Sequence, residues 1–576
     1  MPVGNLTIRN LLGVNLNSMD ADLKDNELAW AKNVYEGKRG EFYSRLNSKV
    51  QPSSVTFLDA SPETFVDLHF FRHDSLVSGF AYIAKSGNLP AIKHFTDPTL
   101  NWAGPTSTPQ AGSASRFDRP AYLTHLDKTY IFNGQGRGFV ITHGVDAVTE
   151  LTYLENVRPT VACKFRGQFA FAGFGSPQKN AIKFSEIELP ETILPDEKML
   201  LIGDSEERII ELVEVTIEGG DQYFEPYLLV LKERSVWMVQ GDPPTELDLG
   251  SVRVFPLIRD EGCVGKGTVI ETTHGVVWCS GKNVFIAPPG DKPIRVGNNI
   301  KPLLESCDKT KPWQWHAEFF NGVYRLTVPK AFYPETIYVP APGTPAYVGP
   351  SETSYIANEQ WWLDLDNFSE AREGEERFKW WGPMTVPSGG MAVLPATVST
   401  PERLMSVLEL RGYYTEFGTV NRIDQFSIEE LDVETATGRD HDGAVSNALP
   451  VVYADMEIRF KAFDFGDQTA RKLLQAVESS YSYSGTEKPE VTVETGSTRA
   501  TFPISSEVGA AGFVLDVASL DFALLGEGIK VVGYRPPGGL RLAGFSLQPT
   551  FKLHSTGRAR FRSLTIRIRP IASRPR

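Results

Sequence analysis

"TVIETTHGVVWCSGKNVFIAPPG", residues 268–290, decides the fold. It divides into three short apolar runs, parted at His274-Gly275 and again at Gly281 to Asn283. Gly and Asn accept the positive φ that a tight hairpin turn needs, and β-branched and aromatic residues suit a pleated surface. The stretch therefore predicts a three-stranded antiparallel meander.

The same unit recurs on both sides of it. "AYLTHLDKTYIFNGQGRGFVI" (121–141) predicts two strands around Asn133-Gly134, and "VACKFRGQFAFAGF" (161–174) two around Arg166-Gly167. "YLLVLKERSVWMVQGD" (227–242) turns at Lys232 to Arg234, and "WHAEFFNGVYRLTVP" (315–329) at Asn321-Gly322. "LMSVLELRGYYTEFGTVNRID" (404–424) is expected to turn at Arg411-Gly412. These hairpins repeat at a spacing of roughly 40 residues, the range of propeller blades, though with no Trp-Asp signature. The fold class expected is all-β: an irregular β-propeller with an extended N-terminal arm and a C-terminal antiparallel β-sandwich. A pair of β-sandwiches is the alternative.

The chain then divides into an arm at 1–54 with a short helix, a propeller at 55–432, a linker or exposed loop at 433–450, and a sandwich at 451–576 with a basic tail. The linker "VETATGRDHDGAVSNALP" is polar and rich in Gly and Ala. After it the strands lengthen and alternate regularly, as in "PEVTVETGSTRATFP" and "ARFRSLTIRIRP". Helical spacing is confined to Glu27–Tyr35, where Leu28, Ala31 and Tyr35 would share a face, and to Gln468–Ala476.

At 576 residues the chain exceeds one ordinary core. A net charge of −13 argues against a general nucleic-acid binder, yet the sign is uneven. Ser185 to Asp221 is strongly acidic, whereas Lys552 to Arg576 holds eight Lys or Arg and no acid. The cysteines, Cys163, Cys263, Cys279 and Cys307, form no C-x-x-C pair. Cys163 and Cys279 lie inside apolar runs and fit small buried thiols, and no disulfide framework is expected, in keeping with assembly in a reducing cytoplasm. No secretory leader and no apolar run long enough for a spanning helix is read.

The chemistry-bearing motifs mostly fail on inspection. "GCVGKGT" (262–268) places Gly267 where a P-loop needs Ser or Thr, so a turn between blades is expected. "GQGRGF" (134–139) leads into no helix. His69 and His73 lie four apart in "LHFFRHD", which reads as a strand and not a zinc-binding helix. Asp364 with Asp366, and Asp440 with Asp442, read as turn residues. No catalytic role, cofactor or metal is expected. The doublets Trp361-Trp362 and Trp380-Trp381 point to opposite faces of their strands, so one of each pair meets a neighbouring blade or a neighbouring subunit. In the tail, Ile566 and Ile568 share one face, and Arg567 and Arg569 the other. That guanidinium face suits a solvated edge, an acidic protein partner or nucleic acid.

The N-terminal segment "GVNLNSMDADLKDNELAWAKNVYEGKRGEFYSRLNSK" (13–49) resembles that of tail nozzle proteins from short-tailed bacteriophages, a group with packaged-DNA stabilisation and tail tubular B proteins. Gly13, Val14, Asn15, Asp20, Leu23, Asn33, Val34 and Arg45 occupy the points of likeness. The likeness extends to 228–242, to 262–290 through Gly262, Gly275, Trp278, Gly281 and Phe285, and to 460–475. It implies a virion protein of the tail, assembled in the host cytoplasm into a homo-oligomeric, usually sixfold ring. It also implies an adaptor ring and needle or fibre proteins as partners, and the transient passage of double-stranded DNA without sequence-specific binding. The arm would close a propeller sheet or cross to a neighbour. Asn15, Asp20, Asn33, Val34, Arg45, Trp361, Trp380, Arg567 and Arg569 are the assembly or interface candidates. The alternative function is a propeller-based glycan-binding or glycan-degrading tail protein, which needs paired carboxyls in a deep polar pocket near the propeller axis.

Overall fold

The computed structural model describes residues 4–8, 11–19, 22–37, 41–45, 47–50, 57–59, 64–73, 76–85, 91–96, 119–134, 138–142, 148–151, 158–216, 226–329, 358–366, 378–384, 386, 388–397, 400–416, 419–433, 456–465, 471–482, 490–495, 499–503, 530–534, 543–544, 546–553 and 560–571. Asp20, Asp440, Asp442 and the expected linker from 434 to 450 lie outside them. The chain forms two compact units, one of residues 1–49, 359–386 and 431–576, the other of 50–358 and 387–430.

The second unit is the propeller. Blade one is Thr64–His73, Leu76–Lys85 and Ala91–Thr96. Blade two runs Ala121–His125, Lys128–Phe132, Phe139–Thr142, Val148–Glu150, and blade three Val161–Phe165, Gln168–Ala172, Ala181–Glu186, Leu189–Ile193. Blade four is Ile209–Val215, Tyr227–Lys232, Val236–Gln240, Arg253–Ile258, and blade five Ile270–Thr272, Gly275–Cys279, Val284–Ala287, Ile294–Arg295. Blade six opens with the hairpin His316–Phe320 and Val323–Pro329, and blade seven with Ser388–Leu394, Arg403–Glu416 and Thr419–Val433. Each is an antiparallel meander. The first strand of blade seven packs on that of blade six and on that of blade one, so the series closes on itself. Phe57–Asp59, from ahead of blade one, pairs with Asp424 to Phe426 of blade seven and bolts the circle shut.

The turns follow from the residues. Arg166 and Gly167 take φ of 49° and 80°, Asn321 and Gly322 of 51° and 78°, the left-handed pair of a tight hairpin. Two expected turns differ. Blade two turns first at Leu126-Asp127, where Leu126 holds φ 54° and His125 faces Lys128, so the stretch carries three strands and not two. Arg411 and Gly412 do not turn: they sit inside the ladder opposite Asp424 and Ile423, which runs on to Glu416 opposite Thr419.

Among the described residues the first unit holds the hairpin of Asn358–Asp364 with Trp380–Met384 and two larger sheets. One orders Val34–Glu36, Phe42–Ser44, Arg560–Ile571, Arg471–Ser482 and Lys530–Tyr534, with Gly4–Ile8 also on the C-terminal strand. The other orders Leu28–Lys32, Met456–Phe460, Gln548–Leu553, Glu490–Glu494 and Arg499–Pro503. N-terminal strands thus belong to both sheets.

Both expected helices are strands. Residues 28–32 and 34–36 are extended, with a bulge between Leu28 and Trp30 and a corner at Asn33, φ 56°. Gln468–Ala476 gives way to strand Arg471–Ser482, which bulges at Leu474/Ala476 and Ser480/Tyr481. A bulge inserts one residue and breaks the period of two, leaving apolar residues spaced three apart as in a helix.

Candidate functional site

Two constellations stand out, one in each unit. In the first unit the N-terminal segment makes a clasp. Gly13 holds φ +87°, and a Cβ there would lie 2.7 Å from the Trp380 carbonyl oxygen. Val14 N donates to that oxygen at 2.8 Å, and Leu28 N to the Gly13 carbonyl at 2.9 Å. Asn15 is buried; its Nδ2 donates to Glu27 Oε2 at 3.3 Å, and its Oδ1 accepts from Asn17 N at 3.0 Å. Asn33 is fully buried, its N donating to the Pro383 carbonyl at 3.0 Å. Its Oδ1 accepts from Arg45 Nε at 3.2 Å, and its carbonyl from Arg45 N at 2.9 Å. Val34 is buried beside them.

The clasp covers the tryptophan hairpin. Trp361, Trp362, Trp380 and Trp381 are all buried, with Trp362 opposite Trp381 in the ladder. Trp30 meets Trp361 edge-on at 6.2 Å, Tyr35 lies 5.3 Å from Trp362, and Phe42 lies 5.6 Å from Trp381. Both faces of the hairpin are therefore packed by the chain's own arm. Of the assembly candidates, Asn15, Asn33, Val34, Arg45, Trp361 and Trp380 come together here. Arg569 is exposed on the C-terminal strand; Arg567 stands in its ladder opposite Asn5 and Ala476, with its side chain outside the described residues.

In the propeller unit the first strands of all seven blades line a cavity of about 560 Å³. Four of them each place an acid there: Asp67, Glu211, Glu271 and Glu318. The cations around it are committed. Arg119 pairs with Asp67 and donates to the carbonyls of Gly389 at 2.6 Å and Trp313 at 2.9 Å. Tyr122 Oη donates to Asp67 Oδ2 at 3.1 Å. Lys266 donates to the buried Thr160 carbonyl, and Lys164 pairs with Glu188 at 3.0 Å. The stretch 262–268 is, as expected, a connection between blades, from four to five.

Burial, with the charge of Asp67 adding to it, pushes the Glu318 carboxyl up to about 8 despite the bond it accepts from Phe319 N. Burial and then the Glu214 charge also raise Glu271. The buried His316 imidazole is held neutral by desolvation and by Arg119, with Nε2 3.0 Å from Ser388 Oγ. The cavity thus offers a carboxylic acid that keeps its proton near neutral pH, beside an Asp67 fixed by a guanidinium and a phenol. That pairing is suited to proton transfer and to hydroxyl-rich ligands. Among the described residues, every cation lining the cavity is already engaged by a protein oxygen.

The sequence reading did not single out these four acids. The signal was present: "FVDLHF", "IIELVEV", "VIETT" and "HAEFF" each set an acid amid apolar residues in the opening strand of a blade. Acids in the opening strands of blades one, four, five and six converge once the circle closes.

No known protein family matches the chain, and no curated protein does. Several solved structures are similar at low identity. Trypanosoma rangeli sialidase matches at 10% identity over 99% of this chain and 97% of its own, with a TM-score of 0.28. A mutant of the GH43 protein BlXynB from Bacillus licheniformis matches at 10% over 89% and 100%, TM-score 0.21. Xylan β-1,4-xylosidase from Bacillus halodurans C-125 matches at 9% over 90% and 100%, TM-score 0.23. At that likeness, the ground for the propeller is the closed blade series itself. The expectation of a chain without catalytic role is corrected: it required that no acidic pocket form, and Asp67, Glu211, Glu271 and Glu318 converge in the axial cavity.

Proposed function

We propose that this chain is a component of the tail of a short-tailed bacteriophage, a nozzle protein that joins its copies in a ring below an adaptor and conducts DNA during ejection. One observation carries the reading. Gly13, Asn15, Asn33 and Arg45, points at which the segment resembles the nozzle group, are the residues that lock the arm into the first unit. A likeness made of conformation-setting and buried hydrogen-bonding residues reflects a shared way of folding the arm. Strands from both ends of the chain share two sheets, which suits a part that must resist pressure. Negative-stain imaging of the purified protein, alone and mixed with virion tails, tests it. Uniform rings or density on the tail axis are expected; lone particles with no axial density overturn it.

A second reading, a propeller-based glycan-binding or glycan-degrading tail protein, is favoured by the axial cavity. Glu318 would supply a proton to a leaving oxygen and Asp67 or Glu271 a carboxylate. Incubation with bacterial surface polysaccharides, read by reducing-end release and by binding, tests it. The Glu318→Gln variant should lose release and keep binding. Neither release nor binding by the unmodified protein overturns it.

A further inference from the structure

Nine large apolar side chains are marked by their exposure among the described residues, and five belong to one rim of the propeller unit: Leu126, Ile187, Leu189, Leu247 and Leu249. Leu247 is 98% exposed. Direct contacts tie their backbones into one surface. Glu188, between Ile187 and Leu189, lies 3.6 Å from His125 Nε2 and 3.0 Å from Lys164 Nζ, and its N donates to the Gly167 carbonyl at 2.7 Å. Glu186 accepts from Glu246 N at 2.9 Å. Lys198 donates to the carbonyls of Glu246 at 2.8 Å and Asp248 at 3.2 Å, and Thr245 N to the Asp248 carbonyl at 2.9 Å. The loop bearing Leu247 and Leu249 is thus tied down on blade three. Its leucines are held out before any partner arrives, which lowers the ordering cost of binding. Apolar side chains held out to solvent on a fixed frame mark a protein contact.

The rim is acidic. Glu197, Glu246 and Asp248 pair with no cation among the described residues. The unpaired carboxylates of two such rims repel, which favours a partner with a basic face over a second copy of the rim. The chain carries such a surface in its other unit. On Arg560–Ile571, Leu564, Ile566 and Ile568 are buried, while Arg569 is exposed; Arg562, also exposed, pairs with Glu41, and Thr565 meets Thr7 of the adjoining strand at 3.1 Å. Arginine stems cover leucine side chains while their guanidiniums meet carboxylates.

The geometry points to this rim as the surface on which one copy of the chain receives the basic outer face of the next copy's C-terminal strand. The inference rests on the ring reading and names its interface. Unlike faces meeting between copies make a head-to-tail contact, which closes into a ring where the rotation allows.

The test compares ring mass by sedimentation or mass photometry for the full chain, for Leu247→Asp with Leu249→Asp, for Glu246→Lys with Asp248→Lys, and for Arg569→Glu. Melting temperature guards against misfolding, since all five positions are exposed. Each variant should weaken assembly about tenfold or more, a loss of about 1.4 kcal/mol per tenfold. Combining Arg569→Glu with Glu246→Lys and Asp248→Lys should restore part of it. If the unmodified chain forms rings and the folded variants form them equally well, this interface is overturned and the ring reading stands. Loss in both charge variants without restoration overturns the assignment of the partner surface. If the unmodified chain stays single and adds no density to the tail axis, the ring reading falls, and the interface with it; if it stays single yet adds that density, the interface alone is overturned.

Discussion

Asn33 shows how much one residue of the arm does. It turns the chain at φ 56°, a left-handed conformation that Asn tolerates better than most side chains, and its carboxamide accepts from the buried Arg45. The two duties separate by substitution. Asn33→Gly keeps the backbone freedom and loses the acceptor; Asn33→Ala loses both. Urea unfolding should show both destabilised, by about 1–3 kcal/mol for the lost bond, with Ala worse than Gly by about 1 kcal/mol. Equal midpoints would mean the turn costs nothing. Gly13→Ala should destabilise by a similar amount, because its Cβ meets the Trp380 carbonyl oxygen in a strained conformation. Glu318 belongs to the same scale with the opposite sign. Its folded pKa, about 8, lies above the ordinary value of 4.5, so the folded protein binds the extra proton between those values. The stability it contributes is complete below about pH 4.5 and is lost as pH rises through about 8. Glu318→Gln should therefore change the melting temperature little at pH 5 and raise it at pH 9, where the gain in stability is on the order of 3–5 kcal/mol. A variant equally destabilised at both values would show that the carboxyl makes a needed contact.

Strands explain why the arm is polar and yet ordered. Gly4–Ile8 pairs through five rungs with the C-terminal strand, from Gly4 opposite Ile568 to Ile8 opposite Leu564. Removing residues 1–8 would bare that stretch of ladder, a template for pairing with another molecule. Light scattering on heating should show earlier aggregation for the truncated protein; an unchanged onset would mean the rungs add nothing. This pairing joins positions more than 550 residues apart, and no local pattern announces it. What the sequence does announce is set by neighbours along the chain. Asn321-Gly322 and Arg166-Gly167 fix their hairpins because left-handed turn residues sit between β-formers, and "TVIETTHGVVWCSGKNVFIAPPG" has the three strands it implies. Arg411-Gly412 misled because a Gly in a two-stranded ladder can lie flat. The arm misled because its apolar residues were sorted by a bulge and a corner that only partner strands impose. The axial acids were legible as residues and illegible as a set, since their meeting depends on Phe57–Asp59 and blade seven closing the circle.

The chain passes between its two units at 49/50, 358/359, 386/387 and 430/431, so neither is a continuous stretch of sequence. The sandwich expected at 451–576 is accordingly incomplete by itself. It lacks Leu28–Lys32, which pairs with Met456–Phe460, and Phe42–Ser44 and Gly4–Ile8, both paired with the C-terminal strand. A fragment of 451–576 would leave those edges open and lose the apolar cover that the arm brings, including Ile8, Leu28, Ala31 and Phe42. Burying four such side chains is worth on the order of 1.5–3 kcal/mol for each large one, a sizeable part of the 5–15 kcal/mol that holds a domain folded. The fragment should therefore show β-rich far-ultraviolet circular dichroism with weak near-ultraviolet signal and dye binding, the signature of loose packing. Adding a peptide of residues 1–49 should restore near-ultraviolet signal in proportion to the amount bound. A fragment that melts cooperatively without the peptide would show that the arm is an accessory to the sandwich and not one of its parts.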